Sequence, residues 1–211
     1  MKYEVLIPTH HKSDNEIISI VKNINAKCDV LIVNQTNNSN ITNKVINGNN
    51  VRVINVENIG VSNNRNNLLK FAKGDICICV DDDCPLVDNY LDIVSSTLKE
   101  YPDAEFILFN GIVTHENNRL VHSKSTKRVT KFNDVSYAGG PGLVFKKSAI
   151  DKYKLTYNTK VGYPNKIQAG EDSLFIKDIV SSKANFIRSK EVLFIIKDDV
   201  DNSSYFSGVS D

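Results

Sequence analysis

The chain has 211 residues and a mass of 23.6 kDa, enough for one large domain with a buried core. Apolar residues at 41% and charged residues at 24% are ordinary globular usage, which excludes intrinsic disorder and collagen-like or mucin-like chains. Lys plus Arg (26) nearly balances Asp plus Glu (25) for a formal charge of +1, so no global field recruits nucleic acid or anionic lipid. Any partner must be held by a local site.

The N-terminus, Met1 to Ile7, is charged and then strand-like. It lacks the apolar stretch of a secretory leader, and no run reaches the roughly 18 to 20 apolar residues of a membrane span. Cytoplasmic residence is the expectation. The four cysteines, Cys28, Cys77, Cys79 and Cys84, lie in or beside apolar strand-like segments and form no CxxC pair, so they read as buried free thiols.

Two periods alternate through the first half. Tyr3 to Ile7, Asp29 to Val33, Val51 to Asn55 and Asp75 to Val80 are short runs rich in Val, Ile and Leu, as strands buried on both faces should be. Between the first two, Asp14 caps a predicted helix reaching about Asn25, with Ile17, Ile18, Val21 and Ile24 as its apolar stripe. A second helix is predicted over Gly60 to Lys73, stopped by Gly74. This βαβ series implies a mostly parallel sheet with helices on both faces and ligands at the carboxyl ends of its strands.

After Asp81 the character changes. A helix is predicted from Asp88 to about Tyr101, an extended apolar segment from Glu105 to Thr114, and antiparallel additions at Arg119 to His122 and Arg128 to Phe132. The Gly139-Gly140-Pro141-Gly142 loop leads into a strand at Leu143 to Phe145. A polar stretch from Thr156 to Ala169 precedes a helix from Glu171 to Ser182, and Ala184 to Arg188 with Glu191 to Ile196 close the pattern.

The most informative feature is Asp81-Asp82-Asp83, directly after the apolar strand Ile76 to Val80. Three adjacent carboxylates repel one another, and a hard cation such as Mg²⁺ or Mn²⁺ would relieve that repulsion while also holding substrate phosphates. In a locally extended chain residues 81 and 83 would alternate, so one carboxylate could face a metal while another reaches a ribose. The plainer alternative is a solvated acidic turn capping the next helix. Gly170-Glu171-Asp172 opens a predicted helix, where acidic side chains also complement the helix dipole.

Taken in order, Val5-Leu6-Ile7-Pro8-Thr9, Leu31 to Gln35, Asn58 to Asn66, Gly74-Asp75-Ile76, the Asp triplet and Gly170-Glu171-Asp172 resemble the family 2 glycosyltransferases. The resemblance covers about residues 3 to 182. It implies an α/β GT-A (nucleotide-diphospho-sugar transferase) fold, with a Rossmann-like, mostly parallel central sheet flanked by helices and a small antiparallel addition. It further implies one catalytic domain over residues 1–211, with a nucleotide-binding half (1–100) and an acceptor-binding half (101–211). The activity implied is metal-dependent, inverting transfer from a nucleotide-diphosphate sugar, above all a UDP-sugar, to a carbohydrate or lipid-linked acceptor in surface polysaccharide synthesis.

Residue roles follow from the same resemblance. Pro8 and Thr9 would hold the nucleobase through backbone groups, Lys12 would lie near phosphate, Arg65 would sit beside the nucleotide, and Asp82 would contact the ribose. Asp81 and Asp83 would be the outer, metal-facing positions of the DxD element, and Asp172 the general base, with Glu171 supporting the acceptor or the helix end. The Gly139 to Gly142 loop would bring backbone close to the donor sugar or acceptor. Where the family often has two aspartates this chain has Asn34 and Gln35. Gln35 can accept the uracil N3 proton but can also donate, which leaves the base open. His10 and His11 lie near the same edge, and His115, His122 and the acidic run Asp198, Asp199 and Asp201 read as solvated.

Two other readings stay open. A nucleotidyltransferase would keep the fold, but Pro8 to Asp14 contains no glycine-rich loop for a triphosphate. A degenerate scaffold domain supporting a partner subunit would also fit the amides at Asn34 and Gln35. An oxidoreductase is disfavoured, because the first strand leads into Pro8-Thr9-His10-His11 and not GxGxxG. Peripheral association with the inner membrane face is compatible with a lipid-linked acceptor, and nucleic acid is not an expected partner.

Overall fold

The computed structural model describes residues 1–114, 119–120, 123–136 and 139–196. In chain order the elements are β1 (Tyr3–His10), α1 (Asp14–Asn23), β2 (Asp29–Gln35), β3 (Asn40–Ile46), β4 (Asn49–Val56), α2 (Val61–Phe71), β5 (Ile76–Cys79), α3 (Tyr90–Glu100), β6 (Phe106–Val113), β7 (Arg119–Leu120), β8 (Lys127–Arg128), β9 (Leu143–Lys146), α4 (Lys147–Tyr153), α5 (Glu171–Ser181) and β10 (Phe186–Ile196).

The strands form one sheet in the order β3-β4-β2-β1-β5-β9-β6-β10-β8, with β7 on β6. Strands β4, β2, β1 and β5 are parallel neighbours, as the βαβ series implies. Beyond β5 the sheet turns mixed, because β9 lies antiparallel to both β5 and β6 while β10 is parallel to β6. Helices cover both faces. Ile17, Ile20 and Val21 of α1 and Val94 of α3 pack with Val5, Ile7, Val30 and Ile32 on one side. On the other, Leu68 and Leu69 of α2 and Phe175, Ile176 and Ile179 of α5 pack with Leu6, Leu31, Phe106 and Phe145. These near-continuous apolar strands are what burial on two faces requires.

Several boundaries differ from expectation. Ser13, not Asp14, caps α1: its side chain accepts from the Glu16 amide while Glu16 bonds back to the Ser13 backbone. Such a reciprocal cap contributes about 1 kcal/mol and leaves Asp14 in the first turn, where it favours the helix dipole. The β3–β4 hairpin was not expected. Asn47 and Gly48 both take positive φ, 52° and 81°, the demand of a two-residue primed turn that Asn-Gly meets at low cost. Helix α4 was also missed, and the two closing strands are a single strand, β10, bulged between Arg188 and Phe194. The expected strand at Arg128 to Phe132 is only the two-residue β8 followed by a short 3₁₀ turn at Phe132–Asp134. The four cysteines are unpaired, and burial pushes the Cys79 thiol up to about 12. His115, His122, the acidic run at 198–201 and the last residues of the expected strand at 119–122 lie outside the described residues.

Candidate active site

The carboxyl ends of β1, β2 and β5 meet the first turn of α2 and the amino end of α5. This convergence brings together residues distant in sequence. Its centre is Arg65, buried with 9% of its side chain exposed. The Arg65 Nη2 donates to Asp172 Oδ2 at 3.1 Å and lies 3.6 Å from Asp81 Oδ1. Burial works against the guanidinium charge, but Asp172 and then Asp81 overcome it and hold Arg65 protonated. Gly140 closes the site from above: any Cβ there would collide with the guanidinium. The glycine loop thus has a packing reason, since Gly142 (φ 84°) likewise abuts Phe194 and the Phe109 carbonyl.

Asp172 lies in the first turn of α5, behind an N-cap Gly170 at φ 102°. Burial raises its carboxyl above the ordinary range; Arg65 opposes that and Glu171 reinforces it. Its Oδ2 is engaged by Arg65, while its Oδ1 is buried without a hydrogen bond of ordinary geometry, the Gly140 amide and the Tyr157 hydroxyl standing near enough to the carboxylate to lower its value somewhat. Tyr157 forms the floor beneath this carboxylate and escaped the sequence reading, because it sits in a polar, turn-rich stretch with no periodicity. Its ring stacks on Phe175 of α5 at 4.0 Å and 8°. Asn66 of α2 clamps its backbone twice, accepting from the Tyr157 amide at 2.7 Å and donating to its carbonyl at 2.9 Å. The guanidinium of Arg65 lies 5.8 Å from the ring centroid.

The Asp triplet is a turn and not an extended segment. The Cys84 amide donates to the Asp81 carbonyl at 3.2 Å, so Asp82 and Asp83 occupy the turn's centre and the three carboxylates diverge. Asp81 faces Arg65. Asp82 accepts from the Thr9 hydroxyl through Oδ2. Asp83 is exposed, with only the Cys84 thiol donating to its Oδ1, at 3.3 Å. Although about a third of its side chain is exposed (35%), the Asp81 carboxyl is pushed up to about 6, by desolvation first and by Asp172 and its triplet neighbours against the pull of Arg65. The folded value lies above the ordinary 3.8, so this group contributes stability that is complete below about pH 3.8 and lost as pH rises through 6. Measured by urea unfolding in a chelating buffer, Asp81→Asn is therefore expected to gain stability relative to the parent between pH 4 and pH 7.

The carboxylates turn apart, Asp81 toward Arg65 and Asp82 toward Thr9, so Asp83, exposed at the strand end, is the oxygen donor that a hard divalent cation would meet. Among the described residues no three metal-ligating side chains converge. A cation here would complete its shell with phosphate oxygens and water.

The carboxyl ends of β1 and β2 are equally ordered. Asn34 ties the β1–α1 loop, donating to the Lys12 carbonyl and to Asn55 Oδ1, both at 2.9 Å, and accepting from the Lys12 amide at 3.1 Å. It is a structural clamp. Gln35 donates through Nε2 to the Asn58 and Gly60 carbonyls, which consumes both amide hydrogens; no described group donates to its Oε1. Pro8 is half-buried within β1, and the Thr9 carbonyl accepts from Asn64 Nδ2 at 2.8 Å. Thr9 thus turns its hydroxyl, and not its carbonyl, toward the carboxylates. Lys12 places its ammonium 3.9 Å from Glu16. His10 and His11 are exposed, their rings edge to face at 5.9 Å. A cleft of about 450 Å³ at the opposite strand ends, around Glu4, Asp29 and Arg52, is not a comparable site. Its charges satisfy one another, Glu4 with Arg52 at 3.0 Å and Asp29 with Lys2 at 2.9 Å.

The family model for Glycosyl transferase family 2 matches residues 4–154. The chain belongs to that family. The matched span holds Thr9, Gln35, Arg65 and the Asp triplet and ends short of Asp172, so the assignment of Asp172 leans on geometry. This family 2 chain has the GT-A fold of S. aureus TarS. The crystal structure of TarS residues 1–349 in complex with UDP-GlcNAc aligns with a TM-score of 0.70 at 16% identity, covering 100% of this chain and 62% of that one. A longer TarS structure aligns at 0.69 and 18% identity, covering 94% of this chain and 37% of that one. The family 2 chain thus spans less than two thirds of these similar structures. No curated protein matches it in sequence. No helix among the described residues is long and apolar enough to cross a membrane.

Proposed function

We propose that this chain is the catalytic domain of a metal-dependent, inverting glycosyltransferase that takes a UDP-sugar as donor and a glycan or lipid-linked saccharide as acceptor. One observation carries the reading: a single buried guanidinium joins Asp172, at the start of α5, to Asp81, at the end of β5. Two carboxylates on opposite flanks of one cation support reading Asp172 as the base and the Asp triplet as the diphosphate side. The family membership and the likeness to a structure in complex with UDP-GlcNAc support the donor class.

In this reading the Asp172 carboxylate, 16% exposed, takes the proton of the acceptor hydroxyl as that oxygen attacks C1 of the donor sugar. The new C1–O bond forms on the face opposite the diphosphate, the C1–O bond to the diphosphate breaks with its electron pair leaving on UDP, and the anomeric configuration inverts. Arg65 keeps Asp172 ionised and oriented. A divalent cation held by Asp83 beside Asp81 would supply positive charge to the leaving diphosphate.

Gln35 narrows the base. With both amide hydrogens spent on backbone carbonyls, it presents only an acceptor to the nucleotide edge. An acceptor pairs with the imide N–H of uracil and meets the bare N3 lone pair of cytosine with repulsion.

Calorimetry tests the proposal. UDP with Mn²⁺ is expected to bind, CDP with Mn²⁺ about tenfold or more weakly given the cost of an unpaired polar contact, and Asp83→Asn to abolish the dependence on Mn²⁺. A scaffold domain would show no metal-dependent UDP binding. Equal binding of CDP would remove Gln35 from base selection.

A further inference from the structure

Asn64 lies in the first turn of α2, 3% exposed. Its Nδ2 donates to the Thr9 carbonyl at 2.8 Å, a bond only the amide nitrogen can make, so the orientation of the group is set. That orientation leaves Oδ1 buried with no described partner. An orphaned buried acceptor costs stability, and a leucine of similar volume would fill the space without one. Packing therefore does not account for the amide. The second link does: the hydroxyl of the same Thr9 donates to Asp82 Oδ2, in the turn after β5. Asn64 on α2 thus holds the backbone of Thr9 in β1, whose hydroxyl holds Asp82 in that turn, and no described residue donates to Asp82 Oδ1.

We infer that Asn64 is a positioning residue that holds Thr9 and, through Thr9, aims the Asp82 carboxylate at the ribose hydroxyls of the nucleoside diphosphate. The inference rests on the UDP-sugar reading above. A carboxylate already held by one oxygen loses less rotational freedom when its other oxygen meets a ligand, so the relay acts as preorganisation for binding. Asn64 itself never touches the nucleotide in this arrangement.

The test uses the full chain, with UDP and Mn²⁺ as the probe in calorimetry and thermal melting as the structural control. Asn64→Leu is expected to weaken UDP binding about tenfold while melting within a few degrees of the parent, because the lost Thr9 bond is offset by removal of the orphan. Thr9→Val is expected to cost about the same, and the double variant no more than Thr9→Val alone, as for residues acting as one unit. With 2′,3′-dideoxy-UDP, which lacks the hydroxyls Asp82 would hold, Asn64→Leu and the parent are expected to bind alike. If Asn64→Leu melts early, Asn64→Ala takes its place in the same cycle. Unchanged UDP affinity, losses that multiply in the double variant, or an equal loss for the dideoxy analogue would each overturn the relay and leave the UDP reading standing. Absence of UDP binding by the parent would instead overturn that reading, and the relay with it.

Discussion

Replacing Asp172 with asparagine is expected to lower sugar transfer by about two orders of magnitude or more, the contribution of a positioned base, while UDP affinity stays within about threefold of the parent. The split follows from geometry. Asp172 stands at the amino end of α5, across Arg65 from the Asp triplet, so an isosteric amide removes the proton acceptor and leaves the nucleotide edge of β1 and β2 untouched. The Arg65 bond to Oδ2 survives if the amide oxygen takes that place. Transfer assayed with a UDP-sugar, beside calorimetry with UDP and Mn²⁺, checks both halves. A variant that transfers at the parental rate would show that the base lies elsewhere, and Glu171, its chain neighbour, would be next to examine.

The second large effect is structural and catalytic at once. Arg65→Met keeps most of the side-chain volume but leaves Asp172 and Asp81 facing each other without the cation that separates them. Breaking a buried ion pair from one side costs about 3 kcal/mol, the low end of the usual range being appropriate because Asp81 keeps a third of its exposure. Both carboxyls already stand above their ordinary values. Without Arg65 they rise further, so the folded variant binds protons more readily than the unfolded chain and its deficit should shrink as pH falls from 7 toward 5. Urea unfolding at the two pH values measures the loss and its sign. A deficit independent of pH would mean that packing on Tyr157, not charge, is what Arg65 supplies.

The site was legible in unequal parts. Asp81, Asp82, Asp83, Arg65 and Asp172 could be singled out from the sequence because their types and order match a family pattern, and the apolar strand before the triplet placed it at the carboxyl end of β5. What they contact could not. The triplet was expected to be extended, with one carboxylate facing a metal while another reaches a ribose. A single backbone bond from Cys84 to Asp81 makes it a turn and sends the three carboxylates to Arg65, Thr9 and solvent. Gln35 looked ambiguous as a donor or acceptor, and its role narrows only because the carbonyls of Asn58 and Gly60 fall within reach of its nitrogen. Tyr157 gave no signal at all. Its position depends on clamping by Asn66, 91 residues away, and on stacking against Phe175.

The same division runs through the fold. Apolar runs and their polar spacers determined the parallel half, because burial of a strand on two faces leaves few sequence solutions, and the near-neutral composition ruled out recruitment by net charge. Local chemistry determined the Asn47-Gly48 turn as well, although the strands it joins are too polar to stand out. Tertiary structure alone decided that β9 runs antiparallel between β5 and β6, and that Gly140 and Tyr157 close over one guanidinium. Residue types are encoded one at a time, whereas the state of a buried charge depends on every dipole and carboxylate that packing brings within a few ångströms.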